Sequence, residues 1–174
     1  MNLKHLPIAF DAKAIRDDGS FEGYASVFGN VDAARDIVAP GAFAASLRSG
    51  RRVKMLWQHD PGAPIGRWTS LAEDSRGLYA RGQLLREIAR GNEVYALMKA
   101  EAVDGLSIGF RTLDDAVDPA TGVRTLKAID LFEISVVTFP ANDLAMVGTV
   151  HSLGEDDLGS VLRALARATA ALGG

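Results

Sequence analysis

The sequence predicts a β-dominated α+β domain, a closed β-barrel with a few helices around it. Three observations carry this reading. Short stretches of alternating apolar and polar residues recur along most of the chain, separated by Gly, Asp and Pro turns. Only two or three segments space their apolar residues as a helix does. The chain has 174 residues, 48% of them hydrophobic, and shows no internal repeat, which suits one domain with a real core.

The elements follow in order. Leu6, Ile8 and Phe10 alternate, Asp17-Asp18-Gly19 makes a turn, and Phe21 to Phe28 alternates again, so a hairpin opens the chain. Gly29 to Arg35 is turn-rich and leads through Asp36-Ile37-Val38 to a second turn at Pro40-Gly41. Ala42 to Leu47 suits a short helix, closed by Ser49-Gly50. Val53 to Gln58 is a strand on which Val53, Met55, Trp57 and then His59 share a face, and Pro61 to Pro64 is a turn that stops it. Ile65 to Leu71 and Gly77 to Leu85 are strands around Asp74-Ser75-Arg76-Gly77. Arg86 to Val103 is the strongest helix, with Ile88, Val94, Leu97, Met98 and Ala102 on one side. Gly91 weakens it by about 1 kcal/mol relative to alanine, and Asp104-Gly105 ends it.

Leu106 to Leu113 is a strand, followed by a turn-rich insert from Asp114 to Gly122. Thr125 to Ile129 and Leu131 to Phe139 are strands again, and the apolar run of the second indicates burial on both faces. Pro140 stops it. From Gly154 the chain turns acidic, and Leu158, Val161, Leu162 and Leu165 then fall at helical spacing. The expected division is a folded body over 1–151 and a C-terminal amphipathic helical tail over 152–174.

Composition removes several function classes. The net charge of -3 argues against general nucleic-acid binding. There are no cysteines, so disulfides and zinc–thiolate sites are excluded, and a reducing compartment fits. No apolar run is long enough for a membrane helix, and no signal-peptide pattern stands at the start, so a soluble cytoplasmic protein is expected. Three histidines without an HExxH pair do not suggest a histidine-rich metal site. With neither a Walker lysine loop nor GxGxxG, no cofactor and no metal are expected.

Three polar residues stand where burial makes them costly or useful. Gly105-Leu106-Ser107-Ile108-Gly109 matches G-x-S-x-G, but a helix precedes the serine and a strand follows it, the reverse of the α/β-hydrolase elbow. Ser107 therefore belongs on a strand face, where it is either a small residue at a crowded position or a nucleophile. His59 ends a strand with an apolar face, as a core-edge histidine or a general base. Glu133 lies inside FEISVVTF, where a carboxylate must reach solvent or be paired. Ser, His and a carboxylate on three strand segments supply the parts of a catalytic triad. The other readings are a binding or assembly protein without catalysis, and a small-ligand barrel walled by Trp57, Phe110 and Phe139.

Four groups of residues, in this order and spacing, go further. They are Gly23-Tyr24-Ala25-Ser26-Val27-Phe28 with Pro40-Gly41-Ala42-Phe43, Leu56-Trp57-Gln58-His59-Asp60 with Pro64-Ile65-Gly66, Gly105 to Phe110, and Asp130 to Asn142. In these the chain, from about Phe21 to Ala145, resembles the prohead proteases of tailed phages, which share a fold with herpesvirus assemblin. One position departs: the family has Gly where Arg35 precedes Asp36. The resemblance implies an assemblin-like closed barrel and a serine endopeptidase, with Ser107 as nucleophile, His59 as general base and Glu133 in the place of the third triad member. It implies a protease domain over 1–151 that cleaves the major capsid protein's scaffold segment or a scaffold protein, and itself, inside the immature capsid in the host cytoplasm. A homodimer is possible by the same analogy. Backbone N–H groups should form the oxyanion hole, with Ala141 and Asn142 the candidates because Pro140 has no N–H to give.

Overall fold

Alternation and turn chemistry produce a sheet of seven strands in the computed structural model, which describes residues 15–148. The strands are β1 (Ser20–Val27), β2 (Asp36–Val38), β3 (Lys54–Trp57), β4 (Asp60–Glu73), β5 (Gly77–Leu84), β6 (Gly105–Val117) and β7 (Arg124–Val137). Two helices accompany them, α1 (Ala44–Arg48) and α2 (Ala89–Lys99). Leu6 to Phe10 and the expected tail at 152–174 lie outside the described residues.

β7 is the spine. Along one edge it pairs antiparallel with β6, from Gly105↔Val137 to Val117↔Arg124. Its other edge is shared by β2, parallel against Arg124 to Leu126, and β3, parallel against Glu133 to Val136. From β3 the sheet continues antiparallel through β4 and β5 to β1. The two ends of this curled sheet, β1 and β6, are joined by the chain at 145–148. Leu106 N–H donates to Ala145 O (2.9 Å) and Val147 N–H to Asp104 O (2.7 Å) on one side. Tyr24 N–H donates to Met146 O (3.2 Å) and Gly148 N–H to Glu22 O (3.0 Å) on the other. A short segment thus links β1 to β6 and completes the ring that the β content implied.

The side chains of Met55, Ile65, Leu78, Leu106, Leu126, Ile129, Leu131, Ile134 and Val136 fill the interior. Helix α1 lies on β7, where the Ser46 hydroxyl accepts the Leu131 N–H at 2.8 Å. Helix α2 buries Val94 and Met98. Gly91, expected to weaken that helix, is buried because the chain passes too close for any side chain. A Cβ there would sit 2.9 Å from the Leu85 carbonyl carbon and 3.1 Å from Ile65 O.

Four expectations change. Pro61 to Pro64 is not a turn: β4 runs through it, and the turn is Gln58-His59, both at positive φ (52° and 60°), with Trp57 paired to Asp60. A two-residue hairpin of the type I′ kind needs left-handed backbone at both positions, and Gln-His carries none of the usual Gly or Asn signal. The prolines are tolerated because β5 first pairs with β4 at Gly66, leaving that edge open. Second, the insert after Leu113 is no separate loop. β6 and β7 form one long hairpin turning at residues 118–123, where Thr121 Oγ1 donates to Asp118 Oδ2 at 2.7 Å. Third, the apolar run of β7 is buried on both faces only from Ile134 to Val137, and Phe139 beyond it is 90% exposed. Fourth, both helices are shorter than their patterns. Arg35, the departure noted above, holds the glycine-like conformation itself (φ 65°). Its guanidinium reaches Thr121 O, and its carbonyl accepts the Arg124 N–H at 3.0 Å.

Candidate active site

Strand pairing brings the polar candidates to one face. Residues directly opposite in a ladder project to the same side, and the β6–β7 register matches Ser107 with Ser135 and Gly109 with Glu133. Glu133 and Ser135 are two apart on β7, so all four positions share a face, while Leu106, Ile134 and Val136 face the core. β3 flanks the other edge of β7, and its hairpin to β4 swings His59 over the same face.

The contacts there are short. His59 Nδ1 and Glu133 Oε1 are 2.6 Å apart. The other carboxylate oxygen, Oε2, accepts the Ser135 hydroxyl at 2.7 Å. The same hydroxyl accepts the His59 backbone N–H at 3.1 Å. Glu133 is mostly buried, Ser135 wholly so, and the imidazole is half-exposed. His59 is raised above its ordinary value, chiefly by the hydrogen bond to Glu133. Burial opposes the shift, and the carboxylate's charge adds to it. With Nδ1 held by a carboxylate, the proton of the neutral ring resides on Nδ1 and Nε2 is left as an acceptor. The tautomer and orientation of the ring are thus set in advance, with Nε2 free to take a proton.

Ser107 is buried on the adjacent strand beside Ser135. No hydrogen bond joins it to His59 among the described residues. The structure brings Ala141 and Asn142 to line one hollow of about 130 Å³ together with Ser107. The Asn142 side chain is held there by three hydrogen bonds. Nδ2 donates to Val27 O (2.9 Å), and Oδ1 accepts from Asn30 Nδ2 (3.3 Å) and Leu144 N–H (3.2 Å). Ala141 O accepts the Ala33 N–H at 2.9 Å. The turn is therefore clamped from both sides. The sequence reading missed Ser135. Its signal was available: a hydroxyl two residues from Glu133 in an apolar run must share that face and find a partner. Among the described residues no group of three or more His, Asp or Glu is placed to hold a metal.

The model of the caudovirus prohead serine protease family matches residues 8–156. The chain belongs to that family. It is a serine protease that acts in capsid maturation. It is similar to the prohead protease of Enterobacteria phage HK97, 41% identical over 84% of this chain and 68% of that one. It is also similar to the prohead protease of Escherichia phage T5, 30% identical over 89% and 77%. Among solved structures it superposes on the bacteriophage T4 capsid assembly protease gp21 with a TM-score of 0.58, at 13% identity over 68% of this chain and 80% of that one. It superposes on KSHV protease in complex with a hexapeptide phosphonate inhibitor with a TM-score of 0.55, at 12% identity over 85% and 76%. The assemblin-like fold of this prohead protease thus persists where little sequence identity remains.

Proposed function

We propose that Ser107, His59 and Glu133 are the catalytic triad of this protease, and that it cuts a scaffold protein or the scaffold segment of the major capsid protein, and itself, inside the immature shell. The observation that carries the triad is the 2.6 Å contact of His59 Nδ1 with Glu133 on the face that Ser107 shares. In the reaction, His59 Nε2 takes the Ser107 proton as Oγ attacks the scissile carbonyl. It then passes that proton to the departing amine, and a water repeats the cycle to free the acyl group. Glu133 keeps the imidazole oriented and stabilises its charged form throughout. The oxyanion is met by backbone N–H of the Ala141-Asn142 turn, each well-aimed donor contributing about 3–4 kcal/mol.

Ser135 is a positioning residue in this scheme, since one hydroxyl ties the carboxylate to the backbone of the histidine. By analogy with the fold relatives, the active form is a homodimer. Residues 152–174 act as a tail that carries the enzyme into the particle. The test is co-expression with the capsid or scaffold partner, with mass spectrometry of the products. Wild type should give discrete cleavage products, and Ser107→Ala none. Identical processing by Ser107→Ala would overturn the assignment. A chain ending at His151 separates the tail's role: it should cleave peptide yet fail to enter assembling shells.

A further inference from the structure

Away from the triad face, the chain between α1 and β3 runs beside β4 without pairing to it. β3 covers β4 only as far as Lys54↔Arg67, whereas β4 continues to Glu73 with β5 on its opposite edge. Between the two lies a groove of about 600 Å³. Its walls are pinned where the Trp68 indole N–H donates to Lys54 O at 3.2 Å. On its floor the β4 edge beyond Arg67 has no strand partner among the described residues. A bare edge of this kind accepts an extended peptide as an added strand.

The groove is positively charged in a chain whose net charge is -3. Arg51, Arg52, Lys54 and Arg67 line it, and no acidic residue does. Arg51 shares Asp130 with Arg111, at 3.3 and 3.1 Å. Arg67 donates to the neutral Gln83 Oε1 at 3.2 Å. Arg52 and Lys54 have no carboxylate partner among the described residues. The groove also lies close to the chemistry. Lys54 stands opposite Glu133 in the β3–β7 register, and Trp57, next to the His59 turn, is three residues further along β3. That is about 10 Å of extended chain.

We infer that this groove docks an extended acidic segment of the protein substrate, laid as a strand along the β4 edge with its carboxylates against Arg52, Lys54 and Arg67. The inference rests on the proposed protease function only for the identity of the segment's owner. Cleavage would then favour sites that stand a few residues from a run of Asp or Glu, and the preference would fade with salt as exposed charge pairs do.

The test uses the full chain carrying Ser107→Ala, so that nothing is cut, and a fluorescein-labelled Glu-Val-Glu-Val-Glu-Val peptide read by fluorescence anisotropy. The peptide should bind and a Lys-Val-Lys-Val-Lys-Val control should not. Adding Arg52→Glu and Arg67→Glu should weaken the acidic peptide about tenfold or more. The same peptide N-methylated at alternate residues should also bind poorly. Equal affinity for the charge-reversed chain, or for the N-methylated peptide, would overturn the inference. So would an oligothymidine that binds in preference to the peptide, since the groove would then take nucleic acid. A fluorophosphonate probe on the chain with Ser107 intact tests the protease reading separately. Unlabelled Ser107 would sink that reading and leave the binding result standing.

Discussion

Gly109→Ala should cost the enzyme on the order of 100-fold in rate with every residue of the proposed triad still present. Gly109 faces Glu133 across the β6–β7 ladder. A Cβ added there would overlap Glu133 Oε1 and lie 2.8 Å from Cδ and 2.9 Å from Cγ. Carbons rest in contact at about 3.5–4.0 Å, so the carboxylate must retreat by roughly 1 Å. The oxygen that moves is the one bonded to His59 at 2.6 Å, and after such a shift that bond is gone. A misplacement of about 1 Å can cost on the order of 100-fold in rate. The fold should survive, because the clash is with a side chain and not with backbone and Gly109 has no positive φ for alanine to strain, and the stability lost should be that of the His59–Glu133 pair alone. The assay is single-turnover cleavage, with circular dichroism and thermal unfolding to confirm the fold. The double variant with Glu133→Gln should be no worse than Glu133→Gln alone, because both disable the same contact. A folded Gly109→Ala enzyme within about threefold of wild type would refute the role given to Glu133.

Four further outcomes are expected. Ser107→Ala and His59→Ala should each abolish cleavage, and the pair together should lose no more, since the two act as a unit; additive losses in single-turnover assays would separate them. Glu133→Gln should cost less than His59→Ala, because it removes orientation and not proton transfer. Ser135→Ala should lower kcat by about 10–100-fold with KM little changed, from the loss of hydrogen bonds to a charged group. Ser135→Thr should recover most of that loss, and an alanine variant as active as wild type would remove Ser135 from the scheme. The pH dependence follows from His59, which is held above its ordinary value by its bond to Glu133. Activity needs the neutral ring, so the acidic limb of kcat/KM should lie above about pH 6.5 and move down in Glu133→Gln. A raised folded-state value contributes stability fully below the unfolded value and loses it as pH rises through the folded one. Glu133→Gln should therefore destabilise more at mildly acidic pH than in alkali, and a penalty independent of pH would count against the pair.

The fold class was legible because alternation with period two, broken by Gly, Asp and Pro, has few other structural outcomes. The order in which strands pair was not, since β2 and β3 reach β7 across long stretches of chain that no local pattern reports. Ser107 was readable as a strand residue from the Leu106, Ile108, Phe110 alternation around it. Glu133 stood out because a carboxylate in an apolar run must find a partner. His59 was chosen for its type and its neighbours, but its place was misread. Alternation from Val53 ran straight through a turn that Gln58 and His59 enter only because the sheet on either side holds them there. Gly91 failed in the opposite sense. Propensity counted it as a weakness in a helix, whereas tertiary approach demands it.

The position of β7 has a bearing on timing. Ser107 on β6 and His59 beside β3 never touch through their own strands, because β7 lies between them and is made after both. A ribosome releases the chain from its N-terminus, so a nascent polypeptide already holding the serine and the histidine still lacks the strand that connects their two parts of the sheet. It also lacks Glu133 and the segment at 145–148 that joins the sheet's ends. On the proposed triad, unfinished chains should therefore be inert, and a ribosome-stalled chain ending before Arg124 should show no cleavage. For a protease of capsid maturation, the order of its strands is in this scheme a form of delay.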